Sequence, residues 1–401
     1  MLRLVRIMQT HRRIGILQTL VVGMPTDSAF ARVFQFGMRH GMRAYTMGQA
    51  WWTGDCGPFW GHNALVRMRP FDEACRLPVL PGAPPLGGHI LSHDQVEAVL
   101  MRRAGYEVRV APIEGESWED NPVTVLDFMK REQRWCNGNM QYFALLGMRG
   151  IQPASRFQLF QAIMMYLGAP AWMLMTVLAA AKAVSDDLAL YDGALAVSLF
   201  AIMVGMSLAP KAAGLLDSAL EPGGVRRYGG PARFAGGAAA ELLFSMLMAP
   251  AVALRLSIFL AGLPFGRKIG WNGQIRDAYG VDWSDAARGL WPQTVLGAAV
   301  IATLAVGAPT VLYWAAPVLL GLTLAIPFAV ATASPRFGRA LSALGLGAIP
   351  EEVRPAPILQ AVAREAAALS AAAPDPAAPA PAESVATPAP LAGPAVLTPG
   401  E

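Results

Sequence analysis

Charged residues are scarce in this chain of 401 residues: Asp, Glu, Lys and Arg make up 15% of it, whereas hydrophobic residues make up 54%. A typical soluble domain is about 25% charged. The shortage falls in residues 157–332, while the first 156 residues carry charges at a normal density. The composition therefore excludes a single water-soluble globule and predicts a soluble-type domain followed by a membrane region. The net charge of +4 is small and dispersed, which argues against a nucleic-acid partner.

Cysteine is also rare, and its three copies stand at Cys56, Cys75 and Cys136. None belongs to a Cys-x-x-Cys pair or stands near a His at metal-ligand spacing. This pattern favours reduced thiols in a cytosolic domain over a disulfide framework or a metal centre.

A cleavable signal peptide is not expected, although an apolar run follows the early arginines. Gln18 and Thr19 interrupt that run, and no small-residue cleavage site comes after it. The run instead predicts a buried strand within a mixed α/β region that fills residues 1–156. The predicted helices there are 2–9, 29–41, 95–104 and 123–140, the predicted strands are 14–22, 61–69 and 106–111, and the Pro/Gly-rich residues 77–88 are a loop.

Long apolar segments follow, and a membrane helix needs about 20 apolar residues to cross a hydrocarbon core of roughly 30 Å. Such segments must be helical, because lipid offers their backbone groups no hydrogen bonds. The predicted spans are 157–184, 188–210, 293–307 and 310–331. The last region, 333–401, is predicted to be a cytoplasmic tail, disordered from about residue 371, where Ala and Pro dominate.

A further apolar segment, 236–263, contains Glu241 and Arg255. A charge at the bilayer centre costs roughly 2.5–3.5 kcal/mol on insertion scales. The loops on both sides of it, from Lys211 and from Arg267, are basic and therefore predicted to be cytoplasmic, whereas the acidic loop 185–192 is predicted to be outside. This favours an interfacial or re-entrant segment, with a fifth full span left open.

The candidate catalytic residue is Asp94, in Ser92-His93-Asp94 at the mouth of a predicted helix. A carboxylate in this place can accept the proton of an attacking hydroxyl. An N-cap is the alternative, because Asp is common at helix starts.

Basic and aromatic side chains meet on the predicted helix 123–140. Arg131 and Arg134 stand three residues apart on one face, and two guanidinium groups suit a diphosphate. Trp135 offers a flat plate for the CH face of a pyranose. The alternative is a basic interfacial helix with its Trp at the level of the lipid headgroups.

Two more segments carry sugar-binding chemistry. Trp60, Gly61, His62 and Asn63 either line a sugar site or form a turn into a strand. The polar-aromatic loop that contains Trp271, Gln274 and Arg276 either gates a channel at a membrane mouth or anchors the chain at the interface.

Four motifs, read in order along the chain, closely resemble those of the membrane glucosyltransferases that make osmoregulated periplasmic glucans, the glucosyltransferase H family. They are Trp60-Gly61-His62-Asn63-Ala64, Leu91-Ser92-His93-Asp94, Gly105-Tyr106 and Arg131-x-x-Arg134-Trp135-Cys136-Asn137-Gly138-Asn139. The resemblance runs from about residue 2 to residue 338. It places the chain with the inverting family 2 glycosyltransferases, beside cellulose and hyaluronan synthases. It implies a partial GT-A-type α/β domain in residues 1–156 followed by an α-helical transmembrane bundle in residues 157–332.

The resemblance also implies roles. Asp94 matches the general base that deprotonates the acceptor hydroxyl, and Arg134 and Trp135 match the end of the Q-x-x-R-W motif, which holds the nucleotide diphosphate and stacks under the acceptor glucose. Arg131 stands where that motif has Gln and adds charge near the phosphates. Residues 60–63 match the acceptor-side segment, and the loop 271–276 stands where cellulose synthases carry a gating loop.

The chain departs from the family at its front, since no D-x-D sequence occurs in it. The family uses that motif to hold a divalent cation, Mg or Mn, so the chain is expected to be the C-terminal portion of a synthase without those ligands. The implied partners are UDP-glucose, a β-glucan acceptor, the bilayer of a bacterial inner membrane and a periplasmic glucan-processing protein.

Two functions follow. The first is an inverting glucosyltransferase that extends a β-glucan with glucose from UDP-glucose, with its catalytic region and C-terminus in the cytoplasm. The second is an inactive fragment, or a non-enzymatic membrane scaffold or transport component, because the donor-binding half is absent. A transport role predicts intramembrane charge that faces a pore, and only Glu241 and Arg255 qualify.

Overall fold

A computed structural model of the chain describes residues 1–115, 117–185, 193–270, 273 and 277–372. It divides into one unit at Met1–Arg354 and a second at Pro355–Glu401. The strands are β1 Ile14–Thr19, β2 Val22–Gly23, β3 Ala64–Val66, β4 Glu107–Ala111 and β5 Trp118–Glu119. The helices of the first half are α1 Leu2–Thr10, α2 Ala29–Thr53, α3 Met68–Ala74, α4 Asp94–Arg103, α5 Val125–Met140 and α6 Pro153–Ala183. Those of the second half are α7 Gly193–Leu220, α8 Gly224–Arg227, α9 Pro231–Gly262, α10 Trp283–Gly307, α11 Leu312–Thr323, α12 Ala325–Ala333, α13 Pro335–Leu344, α14 Pro350–Val353 and α15 Pro357–Ala372.

A small sheet with β1 at its centre organises the α/β part. β1 pairs antiparallel with β3, with Ile16 opposite Val66, and parallel with β4, with Leu17 opposite Arg109. All six residues of β1 are buried, as expected for a strand covered on both faces. β2 and β5 form a separate parallel pair. The sheet thereby brings the loops that follow β1 and β4 next to the segment that enters β3.

A continuous apolar core joins this sheet to the helices around it. Met101 of α4, Cys136 and Met140 of α5, and Ile163 of α6 pack in one buried cluster with Ile16 of β1. Each of these side chains is at most 5% exposed, and burial of such a side chain stabilises a fold by roughly 1.5–3 kcal/mol. This core fixes α4 and α5, which carry most of the predicted catalytic residues, against each other.

Most predicted elements of the α/β part are confirmed, and three have different bounds. The helix predicted at 29–41 continues to Thr53, and Arg43 in this extension pairs with Asp217 of α7. The strand predicted at 14–22 breaks after Thr19 into β1 and β2. The strand predicted at 61–69 is only Ala64–Val66, since Gly61 and Asn63 have positive φ angles of 77° and 51° that an extended strand does not allow.

Among the described residues, four helices are long and apolar enough to cross a membrane: Pro153–Ala183, Gly193–Leu220, Pro231–Phe265 and Trp283–Gly307. Of the alternatives for 236–263, the re-entrant pair is wrong, because α9 is one continuous helix. An interfacial helix and a fifth span both agree with that observation. The apolar segment predicted at 310–331 is divided between two helices, α11 and α12. The chain bends by 58° between α11 and α12, which forms either a broken span or a re-entrant loop. The second predicted span, 188–210, begins outside the described residues and continues past Pro210 to Leu220.

Candidate active site

The loop that precedes Asp94 is held in place by α5 and by the turn that follows α5. The Tyr142 hydroxyl donates to the carbonyl of Ser92 at 2.7 Å. The Gln141 amide accepts from the Leu91 backbone N–H at 2.9 Å and donates to the carbonyl of His89 at 3.0 Å. Gly138 lies so close to Ser92 that any side chain there would overlap it. The motif after Trp135 therefore positions the motif that contains Asp94.

The segment Trp60–Asn63 lies directly against the Asp94 carboxylate. A Cβ atom at Gly61 would come within 2.5–2.8 Å of the three carboxyl atoms of Asp94, so only glycine permits this approach. Gly61 also has a φ of 77°, which favours glycine independently. The structure thus brings together the predicted base and the predicted acceptor segment, which are more than thirty residues apart in sequence.

Three buried side chains that the sequence analysis did not select hold this segment. The Gln18 amide, fully buried in β1, donates to the carbonyls of His62 (3.1 Å) and Asn63 (3.3 Å) and accepts from the Trp60 N–H at 3.0 Å. Thr19 donates to the Asn63 carbonyl and shares a 2.6 Å hydrogen bond with Ser117. The sequence signal was the pair of polar residues in an apolar strand, because a buried amide must find partners.

The environment of Asp94 makes its carboxylate a stronger base. Burial raises the pKa of Asp94, and the electrostatic interactions with His93 and His62 offset only part of that rise. His93 Nδ1 lies 3.1 Å from Asp94 Oδ1 and 3.0 Å from Glu97 Oε1. The side chain of Asp94 remains 35% exposed and accessible to an acceptor. The N-cap alternative is wrong, because His93 occupies the cap position and Asp94 is the first residue of α4.

His93, Asp94 and Glu97 also form a group with the composition of a metal site. Their potential ligand atoms all lie within 4.8 Å of one another. However, the imidazole nitrogen of His93 already contacts both carboxylates, and all three residues belong to one helical turn. The same geometry is that of a base, Asp94, whose carboxylate is positioned by His93 and Glu97.

Arg131 is largely buried against an aromatic surface of α5. Its guanidinium carbon is 4.5 Å from the ring centre of Trp135 and 5.1 Å from that of Phe128, both within cation–π range. It donates to Asn121 at 3.3 Å, and its nearest carboxylate oxygen, on Glu132, is 3.6 Å away. Burial lowers the pKa of Arg131 more than the nearby carboxylates raise it. Arg131 therefore carries charge that its surroundings compensate incompletely.

Two sets of contacts connect Arg131 and Trp135 of α5 with Asp94. Trp135 stands one helical turn before Gly138, on the same face of α5, and Gly138 contacts the loop that leads to Asp94. On the other side, Glu119 lies 3.4 Å from His62 and its charge acts on Arg131. Trp135 is 44% exposed, so its ring is accessible beside this cluster. Burial also lowers the pKa of Arg134.

The remaining predicted residues lie elsewhere. Trp271, Gln274 and Arg276 of the candidate gating loop fall outside the described residues. Glu241 pairs with Lys211, which lies inside α7 and not in the basic loop predicted for it. Arg255 donates to the Gly289 carbonyl at 3.1 Å. The two intramembrane charges thus face protein groups, which weakens the prediction of a pore.

The chain belongs to a family of glycosyltransferases, because the family model "Glycosyl transferase family group 2" matches residues 1–209. Relatives named "Glucans biosynthesis glucosyltransferase H" share 36% identity over 382 residues in Caulobacter vibrioides, 34% over 372 in Xanthomonas oryzae pv. oryzae and 36% over 385 in Vibrio cholerae. The matches cover 90%, 89% and 91% of this chain, and 57%, 58% and 53% of the respective relatives. The chain therefore spans about half the length of the curated relatives it matches. The resemblance read from the motifs is confirmed.

Proposed function

We propose that this chain supplies the acceptor side of an inverting glucosyltransferase, which moves glucose from UDP-glucose to a growing β-glucan at a membrane. The observation that carries the proposal is the contact of Gly61 with the Asp94 carboxylate, beside an exposed Trp135. In this reading residues 1–156 are the C-terminal half of a GT-A-type domain on the cytoplasmic face of a bacterial inner membrane. The names of the relatives support glucan synthesis as the pathway.

In the proposed reaction the acceptor hydroxyl gives its proton to a carboxylate oxygen of Asp94. The resulting oxygen nucleophile forms a bond to the anomeric carbon, while the bond from that carbon to the UDP oxygen breaks and its electron pair leaves with UDP. In-line attack inverts the anomeric configuration. The raised pKa of Asp94 favours proton acceptance, and a well-placed general base contributes about 10²–10⁴-fold to a rate.

Aromatic and cationic groups of α5 and the loop 60–63 position the two substrates. Trp135 stacks under the acceptor glucose, and Trp60, His62 and Asn63 line the acceptor side. Arg131 and Arg134 stabilise the negative charge that develops on the departing diphosphate, as charge-assisted hydrogen bonds do.

The divalent cation of the family has no suitable holder among the described residues. His93, Asp94 and Glu97 offer ligand atoms, but the cation would there compete with the acceptor proton for Asp94 and would lower its pKa. We therefore expect the ligands of the cation to lie in the donor-binding part that the family shares.

The decisive test is Asp94→Asn, introduced into the gene at its natural locus so that every residue the cell encodes is present. Glucose incorporation from labelled UDP-glucose into glucan by isolated membranes should fall at least about 10²-fold, because the base is lost. Glu73→Gln, at a mostly exposed carboxylate of α3 that pairs with Arg69, is the control and should retain most activity. Near-normal incorporation by Asp94→Asn would reject the role of Asp94. A scaffold or transport protein would show no incorporation in either variant or in the parent.

A further inference from the structure

A buried polar cluster lies apart from Asp94, where α2 meets the membrane helices α7 and α9. The Lys211 ammonium contacts Glu241 Oε1 and lies 3.1 Å from the Ser245 hydroxyl, which itself donates to Glu241 at 2.8 Å. Glu241 is 4% exposed and faces Gly37 of α2, where a Cβ would come within 2.7 Å of its carboxylate oxygen. The two charges cancel, so the cluster as a whole is neutral.

A groove of about 430 Å³ runs between α2 and α7 beside this cluster. This volume falls in the roughly 300–1,000 Å³ range of small-molecule sites. Small residues of α2 create the space, and polar and aromatic side chains line it. The lining includes Gly37, His40, Gly41, Tyr45, Ser207 and Lys211.

His40 supplies the groove with an unsatisfied polar group. Its side chain is 1% exposed, and in the part of the chain that the structure describes neither ring nitrogen has a hydrogen-bond partner. Burial lowers the pKa of His40 to about 4, so at neutral pH the ring is uncharged, with one donor and one acceptor nitrogen. Buried polar groups without partners are rare in folded proteins, and such a group beside a cavity indicates a missing ligand or water.

The groove leads towards the candidate active site. Tyr45, which lines it, stacks on Trp60 with a ring separation of 6.5 Å and an interplanar angle of 30°. Trp60 precedes Gly61, which contacts Asp94. Aromatic faces therefore form a path from the reacting carboxylate to the cleft between α2 and α7.

We infer that the groove between α2 and α7 is a glucan-binding subsite, which holds a glucosyl unit of the chain at a distance from its reacting end. The inference rests on the proposed function. Charge selects the ligand: Lys211 is neutralised by Glu241, so a phosphate gains no net attraction, whereas the neutral imidazole of His40 and the hydroxyl of Ser207 match sugar hydroxyls. The Tyr45 ring supplies an apolar face for the sugar.

Two glycines of α2 provide a matched test. A Cβ at Gly41 or at Gly48 meets nothing within 4 Å, so a side chain starts without a clash at either position, and leucine improves helix propensity at both. Only Gly41 lines the groove. We expect Gly41→Leu to fill the groove and Gly48→Leu to leave it open. A second variant, His40→Ala, removes the imidazole without adding bulk.

The measurement is calorimetric titration of the purified chain in detergent with β-linked glucosides of each linkage, as disaccharides and as hexasaccharides. A disaccharide reaches only the reacting end, whereas a hexasaccharide extends into the groove. We expect Gly41→Leu and His40→Ala to weaken hexasaccharide binding about tenfold, equivalent to about 1.4 kcal/mol, and to leave disaccharide binding unchanged. Gly48→Leu should bind both ligands as the parent does.

Three outcomes would overturn the subsite. One is equal hexasaccharide affinity in Gly41→Leu and Gly48→Leu, and another is the absence of glucoside binding by the parent. The third is loss of co-purified phospholipid in Gly41→Leu with glucoside binding intact, which would assign the groove to a lipid. Because the assay measures binding alone, failure of Asp94→Asn to stop transfer rejects the proposed function without deciding this result.

Discussion

Arg39 and Arg43 of α2 differ from Arg131 of α5 in the groups that surround their guanidinium groups. In α2, Arg39 lies 3.0 Å from Glu114 and 3.1 Å from Glu351, and Arg43 lies 2.6 Å from Asp217. Burial lowers the pKa of Arg39, but its hydrogen bond to Glu114 and the nearby carboxylate charges outweigh this and raise it. These guanidinium groups are matched by carboxylates from three different parts of the chain, which fixes α2 to its neighbours.

Arg131 in α5 is matched mainly by aromatic rings. Its nearest carboxylate oxygen is 3.6 Å away, and burial gives it a lowered pKa. A buried cation that lacks a close counter-charge is costly unless an anion binds to it. Arg39 and Arg43 therefore stabilise the fold, whereas Arg131 is suited to bind an anionic ligand, although all three are partly or fully buried.

The largest effect should follow from the removal of Arg39. Arg39→Leu leaves Glu351 without its buried partner and removes one of the three arginines that contact Glu114. Breaking a buried ion pair costs about 3–5 kcal/mol of unfolding free energy. Denaturant unfolding in detergent, followed by the fluorescence of the chain, measures it. Arg13→Leu, at a mostly exposed ion pair with Glu107, is the control and should cost less than about 1 kcal/mol. Equal losses in the two variants would contradict the structural role of Arg39.

The same network should make stability depend on acid pH. Burial raises the pKa of Glu114, but Arg39 and Arg227 outweigh it and hold the pKa at about 2, against 4.5 for the free group. A lowered folded-state pKa gives stability that is present above pH 4.5 and is lost as the pH falls towards 2. The loss should reach about 3 kcal/mol at most, reduced by solvent screening because Glu114 is partly exposed. Unfolding of Glu114→Gln should lack this part of the pH dependence, and an unchanged profile would disprove the assignment.

A smaller effect should distinguish Arg131 as a ligand group. Arg131→Gln restores the residue of the wider Q-x-x-R-W motif, and removal of a charge-assisted hydrogen bond should weaken pyrophosphate binding by about 1.5–3 kcal/mol. Lys130→Gln removes an equal charge from the next residue of α5, which is mostly exposed and pairs with Asp127, and serves as the control. Calorimetric titration at low salt compares the two. If both substitutions weaken binding equally, the effect is one of general charge and Arg131 has no specific role.

The sequence predicted the elements that local patterns specify. The helices that contain Asp94 and Arg131, the strand at 107–111 and most of the apolar segments were found, because periodicity and turn residues mark them. The candidate residues Asp94 and Gly61 were also identified, although their contact was not. That contact depends on the pairing of β1 with β3 and β4, which joins distant parts of the chain.

Tertiary contacts decided what the sequence could not predict. The extension of α2 beyond Gly41 is stabilised by ion pairs of Arg43 with Asp217 and Glu221, which no local pattern reveals. The bend after α11 lies just beyond Gly321, where the backbone of α11 comes so close to two carbonyl groups of α9 that a Cβ atom would overlap them. Gln18 was visible as a polar residue in an apolar strand, but its partners lie more than forty residues later.

The hydrogen bonds of Gln18 limit how the loop 60–63 can be engineered. One amide supplies both donated hydrogens and an accepting oxygen to backbone groups of residues 60–63, so the shape of the loop is stored in a strand that lies far upstream. A graft of the loop alone onto another scaffold would lose that shape. Transfer of the loop together with the strand would preserve it, and a glutamate in the strand would fail because a carboxylate has no hydrogens to donate.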